Sequence, residues 1–181
     1  MQRLRVEPIS GYLERYRNGP AVYPVSMANG FVYLAGLPPF DPETGEIKPV
    51  PFERQAEVVL QQMKLCLEAA GSSLAHVIKC NVYCTPDPSH FARFNAVYDR
   101  VFGAEQPPRI FMHVPSWPGP FDVEVDCVAV VEGLVELRYR SAAAAPSSAL
   151  MVRSAPLGAR LEPWELGAIL RDAVEDDRSS E

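Results

Sequence analysis

No apolar run in this sequence approaches the roughly 20 residues that a membrane-spanning helix needs. The N-terminal stretch MQRLRVEPISGYLERYRNG has no apolar segment of the kind a secretion signal carries. These absences make the cytoplasm the expected compartment and exclude a membrane from the expected partners. A basic stripe is also missing. The nearest candidate, Arg3 to Arg17, is interrupted by Glu7 and Glu14, and the net charge is −6. Nucleic acid is therefore not an expected partner. Histidine is scarce, with only His76, His90 and His113, and the four cysteines (Cys66, Cys80, Cys84, Cys127) form no CxxC pair. No metal site is expected from so scattered a donor set. The cysteines read as buried, reduced thiols acting as small hydrophobes.

What remains is an ordinary globular composition, 48% apolar and 22% charged over 181 residues, enough for one domain with chain left over. Residues 22–27 and 31–36 are short apolar runs around Asn29-Gly30, a pair suited to a tight hairpin turn. The proline-rich stretch LPPFDPETGEIKPVP that follows predicts a loop. Over 52–70, Ala56, Val59, Leu60, Met63, Leu67 and Ala70 recur at helical spacing, and Gly71 supplies a stop. Residues 77–84 alternate like a half-buried strand. Asp87-Pro88 predicts the start of a second helix with Phe91, Phe94, Tyr98 and Phe102 as its buried stripe. Strands are predicted at 109–114 and from Val123 to about Val131.

The resulting order, ββ-α-β-α-ββ, predicts an α+β fold with two helices packed on one face of a mixed sheet. The last strand is apolar on both faces, with Val128 and Val130 opposite Cys127 and Ala129. The second face therefore calls for a cover, which a homo-oligomer supplies. The predicted organisation is a domain over 1–140, a linker over 141–161 (SAAAAPSSA and beyond), and an amphipathic helix with an acidic tail over 162–181.

Two charges stand out on strands. Arg109 follows Pro107-Pro108 and opens one strand; Glu124 lies inside the next. If those strands are antiparallel neighbours, both side chains share a sheet face. A guanidinium grips a carboxylate with two hydrogen bonds, and a nearby carboxylate holds a water or shuttles a proton. On pattern alone a self-satisfied ion pair is the stronger reading of the same residues.

The segments GPAVYPVSMANGFVYLAGLPPFDPETGEI, FERQAEVVLQQMKLCLEAAGSSLAHVIKCNVYC, FARFNAVYDRVFG, PPRIFMHV and VEVDCVAVV occur in this order over residues 19–132. Together they resemble the RidA/YjgF/UK114 family of reactive-intermediate deaminases. The resemblance implies a chorismate-mutase-like (YjgF-like) fold and a homotrimer with sites in the clefts between subunits. It also implies hydrolysis of an imine or enamine to a carbonyl product and ammonia, without metal or organic cofactor.

By the same resemblance Arg109 grips the carboxylate of a small-molecule substrate and Glu124 orients the attacking water. Gly36 and Leu37 contact the substrate beside the arginine, and Asn95 serves a structural role near the subunit contact. Three positions depart from the family pattern: Ala21 replaces a tyrosine that Tyr23 stands in for, Gly36-Leu37-Pro38-Pro39 replaces Gly-Gln-Ile-Pro, and Phe111 replaces a small or thiol side chain. These changes imply a bulkier, more apolar pocket and a larger or aromatic substrate in a specialised pathway. Trp117 is a candidate lining residue. His113 is either a general acid on Arg109's face or a satisfied polar residue. The rival reading is a non-catalytic small-molecule-binding or regulatory protein of the same fold.

Overall fold

The structure is a computed structural model, and residues 1–132 are described. Six strands form one sheet: β1 (Gln2–Leu4), β2 (Val25–Ala28), β3 (Phe31–Leu37), β4 (Val77–Cys84), β5 (Arg109–His113) and β6 (Val123–Val130). Three helices accompany them: α1 (Ile9–Arg17), α2 (Phe52–Ala69) and α3 (His90–Phe102). The sheet order is β1-β2-β3-β6-β4-β5. Every pairing is antiparallel except β4 with β5.

The α+β, mixed-sheet expectation therefore holds. The predicted tail, including the linker and the helix at 163–175, lies outside the described residues. β1 and α1 were not anticipated. Ile9, Tyr12 and Leu13 of α1 are buried at helical spacing, and Tyr12 packs against Phe40 with ring centroids 5.8 Å apart. The chain that follows β3 is a loop, as predicted, but it is anchored: Phe40 is fully buried, and Asp41 accepts backbone hydrogen bonds from Glu43 and Thr44.

The hairpin turn puts Asn29 and Gly30 at φ values of 51° and 79°, the positive angles that a two-residue hairpin loop demands. β3 then carries an irregularity. Leu34 pairs with Cys127 and Leu37 with Val125, so three steps on β3 match two on β6. The extra residue lets Leu34 and Leu37 both enter the core while Ala35 and Gly36 stay outside it.

α2 and α3 cover one face of the sheet. Ala56, Val59, Leu60, Met63, Cys66 and Leu67 of α2 meet Val32, Leu34, Cys80, Val82, Val125 and Cys127 in one core. The two helices are joined by a two-pronged Arg93–Glu53 contact at 2.6 and 2.7 Å. α3 starts at His90, later than predicted: Asp87 accepts the Ser89 N–H at 2.7 Å and so caps a preceding turn rather than the helix itself. His90, Phe94, Val97 and Tyr98 are its buried residues, whereas Phe91, expected in the stripe, is 52% exposed.

Cys80 and Cys84 share the core face and all four cysteines are buried and unpaired. Burial pushes the Cys66 and Cys84 thiols up to about 12 and Cys80 to about 11, which keeps them protonated and inert. Among the described residues no helix is long and apolar enough to cross a membrane, and no cluster of His, Cys, Asp or Glu is set to hold a metal ion.

Candidate active site

Arg109 opens β5 because Pro107-Pro108 delivers the chain there in an extended path. The Tyr98 hydroxyl donates to Pro107 O at 3.3 Å, and Cys80 N–H donates to Pro108 O at 3.0 Å. Arg109 is the register partner of Cys80, whose side chain lies in the core. Its own side chain consequently rises on the helix-covered face. There the guanidinium lies 4.3 Å from the centroid of the Tyr98 ring and 5.7 Å from that of Phe94. Stacking of a cation on aromatic faces in a desolvated place is worth up to about 2 kcal/mol.

Asn95 Oδ1 accepts a hydrogen bond from Arg109 Nη2. Nη1 is buried and has no hydrogen-bond partner among the described residues. A buried cationic donor without an acceptor is costly, and a ligand carboxylate is the group that would satisfy it.

Glu124 occupies a different environment. It is the register partner of Tyr83, three residues along β6 from Cys127, which is the partner of Cys80. An odd number of steps reverses the side-chain direction, so Glu124 points to the open face of the sheet. The expectation that Arg109 and Glu124 share a face is therefore overturned. β5 and β6 are not neighbours: β4 lies between them, and β5 runs parallel to it. The Pro/Gly loop that joins them crosses over β4 instead of closing a hairpin. The self-satisfied Arg109–Glu124 ion pair falls with the same observation.

Glu124 sits against the backbone of Gly36. A Cβ placed on Gly36 would come within 2.7 Å of Glu124 Oε2, so glycine there leaves the carboxyl its room. Burial, and then the charge of Asp126, push the Glu124 carboxyl up to about 7. The base of β6 that carries it is pinned from two sides. Gln55 Nε2 of α2 donates to Asp122 Oδ2 at 3.1 Å, its Oε1 accepts the Asp122 N–H at 2.7 Å, and Thr85 Oγ1 donates to Asp122 Oδ1 at 2.7 Å.

The remaining candidates divide. Phe111 lies on Arg109's face, edge-on to Phe91 at 5.2 Å and to Phe94 at 5.9 Å. His113 continues the row, 5.8 Å from Phe111 between ring centroids, and is exposed. Leu37 is 1% exposed, so its side chain belongs to the core and only its backbone is free to meet a ligand. Tyr23 precedes β2 rather than lying on it, and is exposed. Trp117 stacks on Phe121 at 5.3 Å; its buried Nε1 has no partner among the described residues.

Sequence reasoning undervalued Asn95, which holds the arginine directly, and missed Tyr98 as its platform. The i, i+3 spacing of Asn95 and Tyr98 on one helix face was the available signal. Tyr16 of α1 was missed with its helix. Its hydroxyl donates to Pro118 O at 3.3 Å, and its phenol is raised by burial and by the charge of Glu124.

A mixed six-stranded sheet with two helices on one face, a buried arginine at the head of its edge strand and a raised glutamate on the open face defines the class of α+β fold. The chain belongs to the endoribonuclease L-PSP family, the RidA/YjgF group, whose model matches residues 15–131. A RutC family protein of Pyrococcus abyssi is 37% identical over 114 residues, 63% of this chain and 88% of that protein. TdcF of Escherichia coli K12, provisionally named a reactive intermediate deaminase, is 35% identical over 115 residues, 62% of this chain and 87% of that protein. Among solved structures, RidA from an Antarctic Psychrobacter aligns with a TM-score of 0.57 at 34% identity, over 61% of this chain and 88% of that one. TdcF of Escherichia coli with bound serine aligns with a TM-score of 0.56 at 32% identity, over 62% of this chain and 88% of that one.

Proposed function

We propose that this protein is a hydrolytic deaminase of a carboxylate-bearing imine or enamine, and that it works as a homotrimer. The observation that carries the reading is the buried Arg109 Nη1, a charged donor held in place by Asn95 and Tyr98 with no acceptor among the described residues. A substrate carboxylate completes it. Water then adds across the C=N bond, oxygen to carbon and a proton to nitrogen. The carbinolamine collapses as its hydroxyl proton passes to nitrogen, the C–N bond breaks, and ammonia leaves a carbonyl product. Such a reaction asks for orientation, a held water and neutralisation of the carboxylate rather than for a cofactor. A carboxyl with its midpoint near neutrality, as at Glu124, is suited to move the protons in both steps.

Because Arg109 and Glu124 lie on opposite faces of one chain, a substrate that touches both must lie between subunits. The open face supports the assembly: Tyr33 is 45% exposed and Ile110 44%, with Phe31, Val128 and Val130 only partly covered. A closed ring would bury that surface. The aromatic wall of Phe111 and Phe91 favours a larger or aromatic substrate. The buried, unpaired thiols favour a reducing compartment such as the cytoplasm.

The test is a coupled deamination assay in which imino acids are generated in situ from small and aromatic amino acids. Arg109→Ala is expected to lose on the order of 100-fold or more in kcat/KM while the fold persists, since a buried charge-assisted contact is worth roughly 3 kcal/mol. Turnover that survives in the Arg109 variant would sink the reading. Phe111, a bulky ring on Arg109's face packed against Phe94, favours a second reading, a binding protein without turnover. Carboxylate binding that depends on Arg109, with no imine turned over, would establish it.

A further inference from the structure

The open face carries a polar cluster that the proposed reaction leaves unused. Asp126 lies two residues beyond Glu124 on β6, so the two carboxyls rise from the same face of one strand. Asn81 Nδ2 donates to Asp126 Oδ1 at 2.7 Å, and the Tyr83 hydroxyl donates to Oδ2 at 2.9 Å. Each oxygen of Asp126 thus has a neutral donor from β4. Donors of this kind hold the carboxyl in place and bring no compensating positive charge. The clamp also fixes position: Asn81 is the register partner of Asp126, and Tyr83 is the partner of Glu124. Asp126 therefore cannot swing away from its neighbour to relieve repulsion.

Glu124 has no such support. Among the described residues no side chain donates a hydrogen bond to its carboxyl. The groups that face it are Asp126 on its own strand, Tyr83 from β4 and Tyr16 from α1, while β3 presents the backbone of Gly36. None of these is a cation. In the proposed trimer the partner subunit's Arg109 adds one, and the substrate carboxylate meets that charge.

Resting on the deaminase reading, we infer that Asp126, clamped by Asn81 and Tyr83, is a positioning residue that keeps the proton on Glu124 and so makes Glu124 the acid for the substrate nitrogen. Protonated Glu124 gives its proton to the imine nitrogen as water adds to carbon. The resulting carboxylate takes the proton that the water sheds and returns to its starting state. The upward displacement of the Glu124 carboxyl, caused first by burial and second by Asp126, agrees with this arrangement.

The test is a titration of Glu124 by NMR in full-length protein labelled at the glutamate carboxyl carbon, comparing wild type with Asp126→Asn. The Glu124 midpoint is expected to fall by about half a unit to one unit in the variant, the size of a single neighbouring charge in a partly wet site. If Asp126→Asn does not fold, the double variant Asn81→Ala/Tyr83→Phe releases the clamp, and a smaller fall is expected. An unchanged midpoint in the variant that folds overturns the inference. With an active substrate, the alkaline limb of the kcat profile should move down by the same amount. A shifted midpoint with no turnover on any imine removes the deaminase reading, and the acid role with it, while Asp126's hold on the proton stands.

Discussion

The two faces of the sheet treat charge in opposite ways. On the helix-covered face a cation is accommodated by aromatic rings and an amide: Tyr98, Phe94 and Asn95 hold Arg109 without a carboxylate partner. On the open face a carboxyl shares its strand face with another carboxyl, and the Asn81 and Tyr83 donors of β4 are spent on Asp126. Neither face is arranged for stability alone. A stabilising design would have paired the arginine with an acid and left the glutamate hydrated. The proposed reaction draws on this contrast, with anion binding on one face and proton handling on the other.

The largest effect expected from breaking this contrast comes from the covered face. Phe94 is fully buried and lies under both Tyr98 and the guanidinium. Phe94→Ala should cost about 3–5 kcal/mol, measured by chemical denaturation. A loss under about 1 kcal/mol would mean that the platform is not packed as described.

The open face should respond with the opposite sign. Glu124 binds its proton more tightly in the folded chain than in the unfolded one. Its contribution to stability is therefore full below about 4.5 and is lost as the pH rises through about 7. Glu124→Gln cannot ionise, so its Tm should exceed that of wild type by a few degrees at pH 8 and match it near pH 4.5. A variant less stable than wild type at pH 8 would show that Glu124 is a supported anion after all. The smallest effect should come from the helix layer. Arg93→Gln removes the exposed contact to Glu53, whose carboxyl Arg93 holds down at about 2. It should lower Tm slightly, and the difference should vanish at high salt.

Much of the fold was legible because its elements have strong periods. The α2 stripe from Ala56 to Leu67 and the alternation from Cys80 to Cys84 each admit one reading, and Asn29-Gly30 names its own turn. The alternation expected to include Ile78 breaks before Cys80, where the register with β6 shifts between Val77 and Lys79 and leaves Ile78 44% exposed. α1 was overlooked because charged Glu14, Arg15 and Arg17 fill most of its last turn, and the apolar residues Ile9, Tyr12 and Leu13 number too few to impose a period. The site was legible as residue types but not as geometry. Nothing local to Arg109 or Glu124 says that β4 comes between their strands. That is a property of pairing between residues some 45 positions apart, such as Asn81 with Asp126. The parallel β4–β5 pair was hidden for the same reason.

The central place of β6 also bears on how the molecule comes together during synthesis. It is the last of the six strands among the described residues, yet it joins β3 to β4. Until it emerges, the ribosome has produced two unconnected halves, the β1-β2-β3 meander and the parallel β4–β5 pair, each with an unpaired inner edge. Contacts of such long sequence separation are slow to close, and open strand edges invite the wrong neighbour in the meantime. The nascent chain therefore passes its most aggregation-prone interval with α2 and α3 already made, and its sheet closes only when residues 123–130 slide between the halves.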